Sequence, residues 1–180
     1  QDISFPLVGK PFNLALENML THTQSLRSLN LMYSYGILEE IAIAEVSPGF
    51  KKNTTLQELA LEFSRGATTL SPILTSLRDH PHLRKLCLRG HAANLTGLET
   101  VLSSDTSNIT ELEIQRSHGG PAIIGLTPLF FQALGRCPTL TILGLRDCPL
   151  ERDDARLLRM ALRNMPSLQS LILVDNGLGS

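Results

Sequence analysis

The side chains that could do chemistry in this chain are few, and no spacing brings a second one to meet the first. His80-Pro-His82 offers two imidazoles two residues apart, which lacks the helical spacing that puts two metal ligands on one face. His91 stands alone, and a hydrogen-bonded structural histidine is the simpler reading of all three. Cys87 has Arg84, Lys85 and Arg89 for neighbours, cations that would depress the pKa of an accessible thiol, although most cysteines so placed are bystanders. Gly120-Pro-Ala-Ile-Ile-Gly125 has the look of a phosphate cradle, but Leu126 stands where the lysine belongs, so no nucleotide site follows. Neither a Ser, His and Asp set nor a Cys and His pair is brought together by any motif. The expectation is therefore no catalytic residue, no metal and no cofactor.

The elements that would position these side chains show a repeat. The pattern L-x-x-L-x-L occurs six times, at Leu26/Leu29/Leu31, Leu56/Leu59/Leu61, Leu83/Leu86/Leu88, Ile109/Leu112/Ile114, Leu140/Leu143/Leu145 and Leu168/Leu171/Leu173. Successive starts are 30, 27, 26, 31 and 28 residues apart, which is the period of a solenoid built from one supersecondary unit. The 35 leucines and the absence of Trp agree with one packing unit used repeatedly.

Punctuation repeats with the leucines. Pro81, Pro138 and Pro166 stand two residues before three of the starts, where a helix must end and the chain become extended. Three residues after each last aliphatic position come Ser34, Ser64, His91, Ser117, Cys148 and Asn176, a slot for a side chain that hydrogen-bonds the turn. Helices are expected between the strands. Ser71-Pro72 and Thr127-Pro128 put a capping hydroxyl before a first-turn proline, and Thr96 with Glu99 reads as a capping box. Residues 37 to 46 read as helix, although Ile41/Ile43 alternate like a strand. Arg156, Arg159 and Arg163 follow Asp153 and Asp154 as a solvated arginine face.

Composition bounds the rest. At 42% hydrophobic and 18% charged, 180 residues make one globular domain, and a net charge of −1 offers no global basic field for nucleic acid or an anionic membrane. No apolar run is long enough to cross a bilayer, so no membrane insertion is expected. Three cysteines, Cys87, Cys137 and Cys148, make no paired framework and favour a reducing, cytoplasmic compartment. Sequons at Asn53, Asn94 and Asn108 leave secretion open.

Strand, polar slot, helix, proline turn and next strand, as in Leu140-Thr-Ile-Leu143-Gly-Leu145-Arg-Asp-Cys148 through Ala161-Leu162-Arg-Asn-Met-Pro166, resemble the ribonuclease-inhibitor-like class of leucine-rich repeat proteins over about residues 12 to 180. Cys137-Pro-Thr-Leu140 with Cys148 also resembles the cysteine-containing repeat of F-box substrate receptors. The resemblance implies an α/β solenoid, curved, with a parallel β-sheet on the concave face, helices on the convex face and a role in holding other proteins. Residues 1–180 are expected to be a single domain of about six repeats. Because Leu14, Leu16, Met19 and Leu20 read as the end of a repeat without its strand, and the chain stops where a next helix should begin, the domain is expected to be a segment of a longer solenoid or a covered subunit.

With the leucines inward, strand alternation sends the intervening residues to the concave face. Candidate partner-binding residues there are Met32, Tyr33, Glu58, Glu62, Phe63, Arg84, Lys85, Arg89, Glu111, Glu113, Arg116, Arg146, Asp147 and Val174. The basic cluster on one strand lies between acidic pairs on its neighbours, which reads either as cross-strand pairing or as a site for a partner's acidic patch. Met32, Tyr33 and Phe63 read as an apolar anchor, or as a surface covered by Phe5 to Phe12. Rim loops at Ser117 to Gly125 and Ser47 to Asn53, the latter carrying Phe50, are further contact candidates. The expected function is a non-enzymatic scaffold that binds a protein partner, within a multisubunit assembly. The alternatives are a GTPase-activating protein of the Ran type, for which Arg65 or Arg116 would supply the rim arginine, and a ubiquitin-ligase substrate receptor.

Overall fold

The structure is a computed structural model that describes residues 2–6, 10–32, 40–63, 68–90, 93–104, 106–116 and 126–177. Seven strands form one parallel sheet, each beside the next: β1 (Asp2–Pro6), β2 (Ser28–Met32), β3 (Glu58–Phe63), β5 (Lys85–Gly90), β7 (Glu111–Arg116), β8 (Ile142–Arg146) and β9 (Ser170–Val174). Two short strands, β4 (Thr68–Thr69) and β6 (Ala93–Asn94), pair separately. The helices are α1 (Lys10–His22), α2 (Glu40–Lys52), α3 (Ser71–Ser76), α4 (Leu98–Leu102), α5 (Pro128–Arg136) and α6 (Arg152–Arg163), and each packs on its neighbours in chain order. This is the leucine-rich repeat solenoid expected.

The repeated aliphatic residues set the register. Leu29, Leu59, Leu86, Leu112, Leu143 and Leu171 stand side by side across the sheet, as do Leu31, Leu61, Leu88, Ile114, Leu145 and Leu173. All but the last rung are buried, each leucine contributing about 1.5–3 kcal/mol of transfer free energy. At strand entry a backbone ladder adds to this: the Arg27 carbonyl accepts from the N–H groups of Gln57 and Glu58, and the same double acceptance recurs at Gln57, Arg84, Thr110 and Thr141. In the last rung Leu171 and Leu173 are 41% and 37% exposed. A seventh strand, β1, adds to the six motifs: Ile3 and Phe5 register with Leu29 and Leu31, so the stretch before α1 has a strand after all. It does not fold back over the sheet.

The polar slots are occupied as expected where they are described. Asn176 is buried; its amide donates to the Leu145 carbonyl and its oxygen accepts from the Cys148 N–H, both at 2.9 Å. The preceding aspartates, Asp147 and Asp175, each turn the chain at φ 53°. Ser34, Ser64, His91 and Ser117 lie outside the described residues. On the return to each strand, Asn53 Oδ1 accepts from the Leu56 N–H at 2.9 Å while its amide donates to the Leu20 carbonyl. Buried and bonded at both ends, Asn53 has no room for a glycan. His80 takes the same place one coil later, its Nδ1 accepting from the Leu83 N–H at 3.2 Å.

Helix α2 departs from expectation. Ser47-Pro48-Gly49-Phe50 is helix rather than a rim loop, and Phe50 is fully buried. Gly49 is the reason: a Cβ there would stand 3.0 Å from the Glu17 carbonyl oxygen and from Leu20 Cβ, so its absence lets α2 lie against α1. Burial of Phe50 against that seam outweighs the backbone hydrogen bond that Pro48 cannot donate. Of the expected caps, Thr127 Oγ1 accepts from the Phe130 N–H at 3.3 Å. Ser71 instead lies inside α3 behind Leu70, and Thr96 gives its hydroxyl to Asn94 while Glu99 accepts from the Gly97 N–H.

Truncating a central rung leaves a cavity that close-packed neighbours cannot fill, so Leu112→Ala is expected to cost about 2–5 kcal/mol in urea unfolding. Leu173→Ala should cost about 1 kcal/mol or less. Burial lowers the His80 pKa from its ordinary value of 6.5, an effect the Asn53 backbone opposes and His82 reinforces. A depressed pKa means that the contribution is complete above about pH 6.5 and is lost as the pH falls through the folded-state value. Stability measured from pH 7 to 5 should therefore fall, and His80→Asn, which copies the preceding coil, should flatten the decline.

Candidate protein-binding surface

Parallel register arranges the concave face in three columns. The first runs Ser28, Glu58, Lys85, Glu111, Ile142, Ser170; the second Asn30, Ala60, Cys87, Glu113, Gly144, Ile172; the third Met32, Glu62, Arg89, Gln115, Arg146, Val174. Neighbours within a column are about 4.8 Å apart, close enough for charges to find one another.

They do. Lys85 Nζ lies 2.9 Å from Glu111 Oε2, a bond that raises the Lys85 pKa. Glu113 divides its carboxylate, Oε1 taking Arg146 Nε at 3.0 Å and Oε2 taking Arg89 at 3.4 Å. Burial would raise the Glu113 pKa, but the Arg146 bond and the Arg89 charge outweigh it and hold the carboxyl below its ordinary value. Gly144 makes the room: a Cβ there would press to 3.3 Å from Glu113 Cγ. Cross-strand pairing thus accounts for Lys85, Arg89, Glu111, Glu113 and Arg146. Glu58 accepts only from Ser28 Oγ, at 3.4 Å, and among the described residues Glu58, Glu62 and Arg84 belong to no ion pair.

Other candidates are placed differently from one another. Asp147 is buried at the turn rather than displayed, and its carbonyl accepts from Arg116 Nε at 2.6 Å, which turns Arg116 toward the scaffold. Val174 is on the exposed face of β9. Met32 pairs in the sheet with Glu62, and Phe63 with Gly90, but only their backbones are described. Tyr33, Arg65 and the loop from Ser117 to Gly125 lie outside the described residues.

Cys87 is a bystander thiol, without the depressed pKa that neighbouring cations would give an accessible one. It is buried, and loss of solvent raises its pKa to about 11 despite the neighbouring Arg89. Cys148 is raised to about 11 for the same first reason. Adjacency to cations in sequence does not show that this thiol is desolvated, and in Cys87 desolvation outweighs the Arg89 charge. Among the described residues no group of three His, Cys, Asp or Glu side chains could hold a metal ion, and no helix is long and apolar enough to cross a membrane.

Comparison with solved structures places the fold among known proteins. The chain is similar to a tropomodulin C-terminal domain from Caenorhabditis elegans, at a TM-score of 0.60 and 16% identity, covering 84% of this chain and 92% of that one. It is also similar to leiomodin-1 actin-binding site 2, at a TM-score of 0.56 and 18% identity, covering 83% and 88%. No protein-family model matches the chain, and no curated protein matches it in sequence.

A thiol that keeps its proton longer in the folded chain than in the unfolded one stabilises below the ordinary pKa of 9.0, and that contribution is lost as the pH rises toward about 11. Alkylation by iodoacetamide at pH 8 is accordingly expected to spare Cys87 and Cys148 until urea unfolds the chain. Cys87→Ala should lessen the loss of stability between pH 9 and 11.

Proposed function

We propose that this chain is a non-enzymatic recognition module that holds a protein partner on its concave sheet. The observation that carries the reading is the division of charge on that face: a centre locked by the Glu113 pairs with Arg89 and Arg146, beside the carboxylates of Glu58 and Glu62 on β3, which belong to no ion pair among the described residues. A face already rigid loses little entropy on binding, and unpaired carboxylates select a partner with basic residues.

Within the leucine-rich repeat fold, the period near 28 residues fits the ribonuclease-inhibitor-like class, while the Cys137/Cys148 coil fits the cysteine-containing repeat of F-box substrate receptors. Three free cysteines, all buried, fit a reducing cytoplasm. The exposed Leu171 and Leu173 fit a single domain that is continued or covered at that edge, as in a longer solenoid or a multisubunit assembly. One structural neighbour is an actin-binding site by its description, which makes actin the first partner to test.

The test is photo-crosslinking from Gln115 on the concave face against Asn18 on α1, with actin and then with cell extract. Adducts from Gln115 that weaken on Glu58→Arg/Glu62→Arg substitution are expected. Adducts formed equally from Asn18, or indifferent to the charge reversal, would remove the concave face from the reading.

A further inference from the structure

On the convex side, α5 and α6 leave an open groove of about 620 Å³ between them. Phe131, Gly135 and Ala161 line its depth, and Leu129, Leu157 and Met160 line it from the two helices. A Cβ on Gly135 would stand 3.2 Å from Ala161 Cα, so the helices approach as closely as their backbones allow. Leu129 is 61% exposed and Met160 52%, although both helices already bury other apolar residues in the core. These two side chains therefore project apolar surface that the fold itself does not use. The lining runs from Pro128 to Arg136, roughly two and a half helical turns.

Arginines flank Met160 at this groove, and Asp153 lies one turn before Leu157 at its start. Arg152, Arg156, Arg159 and Arg163 recur at spacings of 4, 3 and 4, which aligns them on one stripe of α6. Met160 has Arg156 one turn before it and Arg163 one turn after it, and Arg136 lines the groove at the end of α5. All five arginines are exposed, and among the described residues none is in an ion pair. The carboxylates of α6, Asp153 and Asp154, stand in its first turn, where Asp154 accepts from the Glu151 N–H. Arg136 thus lines the exposed apolar trough and Arg156 and Arg163 flank Met160 beside it, with no ion pair among the described residues, while Arg159 and Arg163 also line a second hollow toward Leu173.

The geometry points to a docking site for an acidic amphipathic helix of a protein partner. Apolar side chains one turn apart fill the trough between Leu129 and Met160, and flanking carboxylates meet the guanidinium groups, which favour bidentate carboxylate bonds. A nucleic acid would use the arginines but not the trough. The site is independent of the concave face, and its failure would leave that reading standing.

The test is selection of a phage-displayed library of helical peptides on the intact chain, followed by titration of the most enriched peptide in synthetic form. Acidic peptides with apolar residues at i, i+3 or i+4, and i+7 are expected. Binding should weaken at least about tenfold on Met160→Glu and on Arg156→Glu/Arg163→Glu, and should fall with added salt. Met160→Ser is the milder partner of Met160→Glu, and unchanged circular dichroism melting shows that both remain folded. An empty selection, peptides lacking the acidic amphipathic pattern, or equal affinity for the folded variants would overturn the inference. So would single-stranded DNA that competes with the selected peptide while remaining indifferent to Met160→Glu, or self-association of the chain that Met160→Glu abolishes.

Discussion

The rest of this structure depends on lateral stacking of identical aliphatic rungs. A parallel strand with leucine at alternate positions cannot bury them alone, because its neighbours in sequence are a turn and a helix. Only the next coil, placed in register, covers the flank of each rung. The paired N–H groups that converge on Arg27, Gln57, Arg84, Thr110 and Thr141 carbonyls fix that placement from the backbone side. Side-chain burial and backbone satisfaction therefore demand the same register, and a slip of one residue would turn every leucine outward.

That constraint creates the surface as a by-product. Once the leucines are inward, the remaining strand residues form columns about 4.8 Å apart, and their chemistry is read across coils rather than along the chain. Glu113 illustrates this: its partners Arg89 and Arg146 lie 24 residues behind and 33 ahead in sequence, yet belong to adjacent strands. The convex side follows a different rule, because helix length varies among coils while strand spacing does not. Where Gly135 meets Ala161 the helices come close and leave an apolar trough above them.

Several features were legible from residue types alone. The leucine spacing gave the period, the parallel sheet and the inward face, and the slot after each strand anticipated the role of Asn176. The two-residue motif Ile3 and Phe5 was too short to stand out before its partners in β2 were known. Ser47-Pro48-Gly49 has the composition of a turn, and local preference would make it one; contact with α1 decides otherwise. Cations beside Cys87 would activate an accessible thiol, but whether the thiol is accessible is not written in its neighbours, and desolvation by the packed surroundings prevails.

The division follows from the range of the forces involved. Periodic burial is encoded residue by residue, so the sequence by itself determined the repeat, the strand faces and the candidate columns. Pairing, helix contact and solvent exclusion depend on groups tens of residues apart, and these only the tertiary structure decided. It joined Glu113 to two arginines, buried Phe50 and Cys87, turned Arg116 onto the Asp147 carbonyl, and left Met160 and Arg136 on an unfilled apolar groove between α5 and α6.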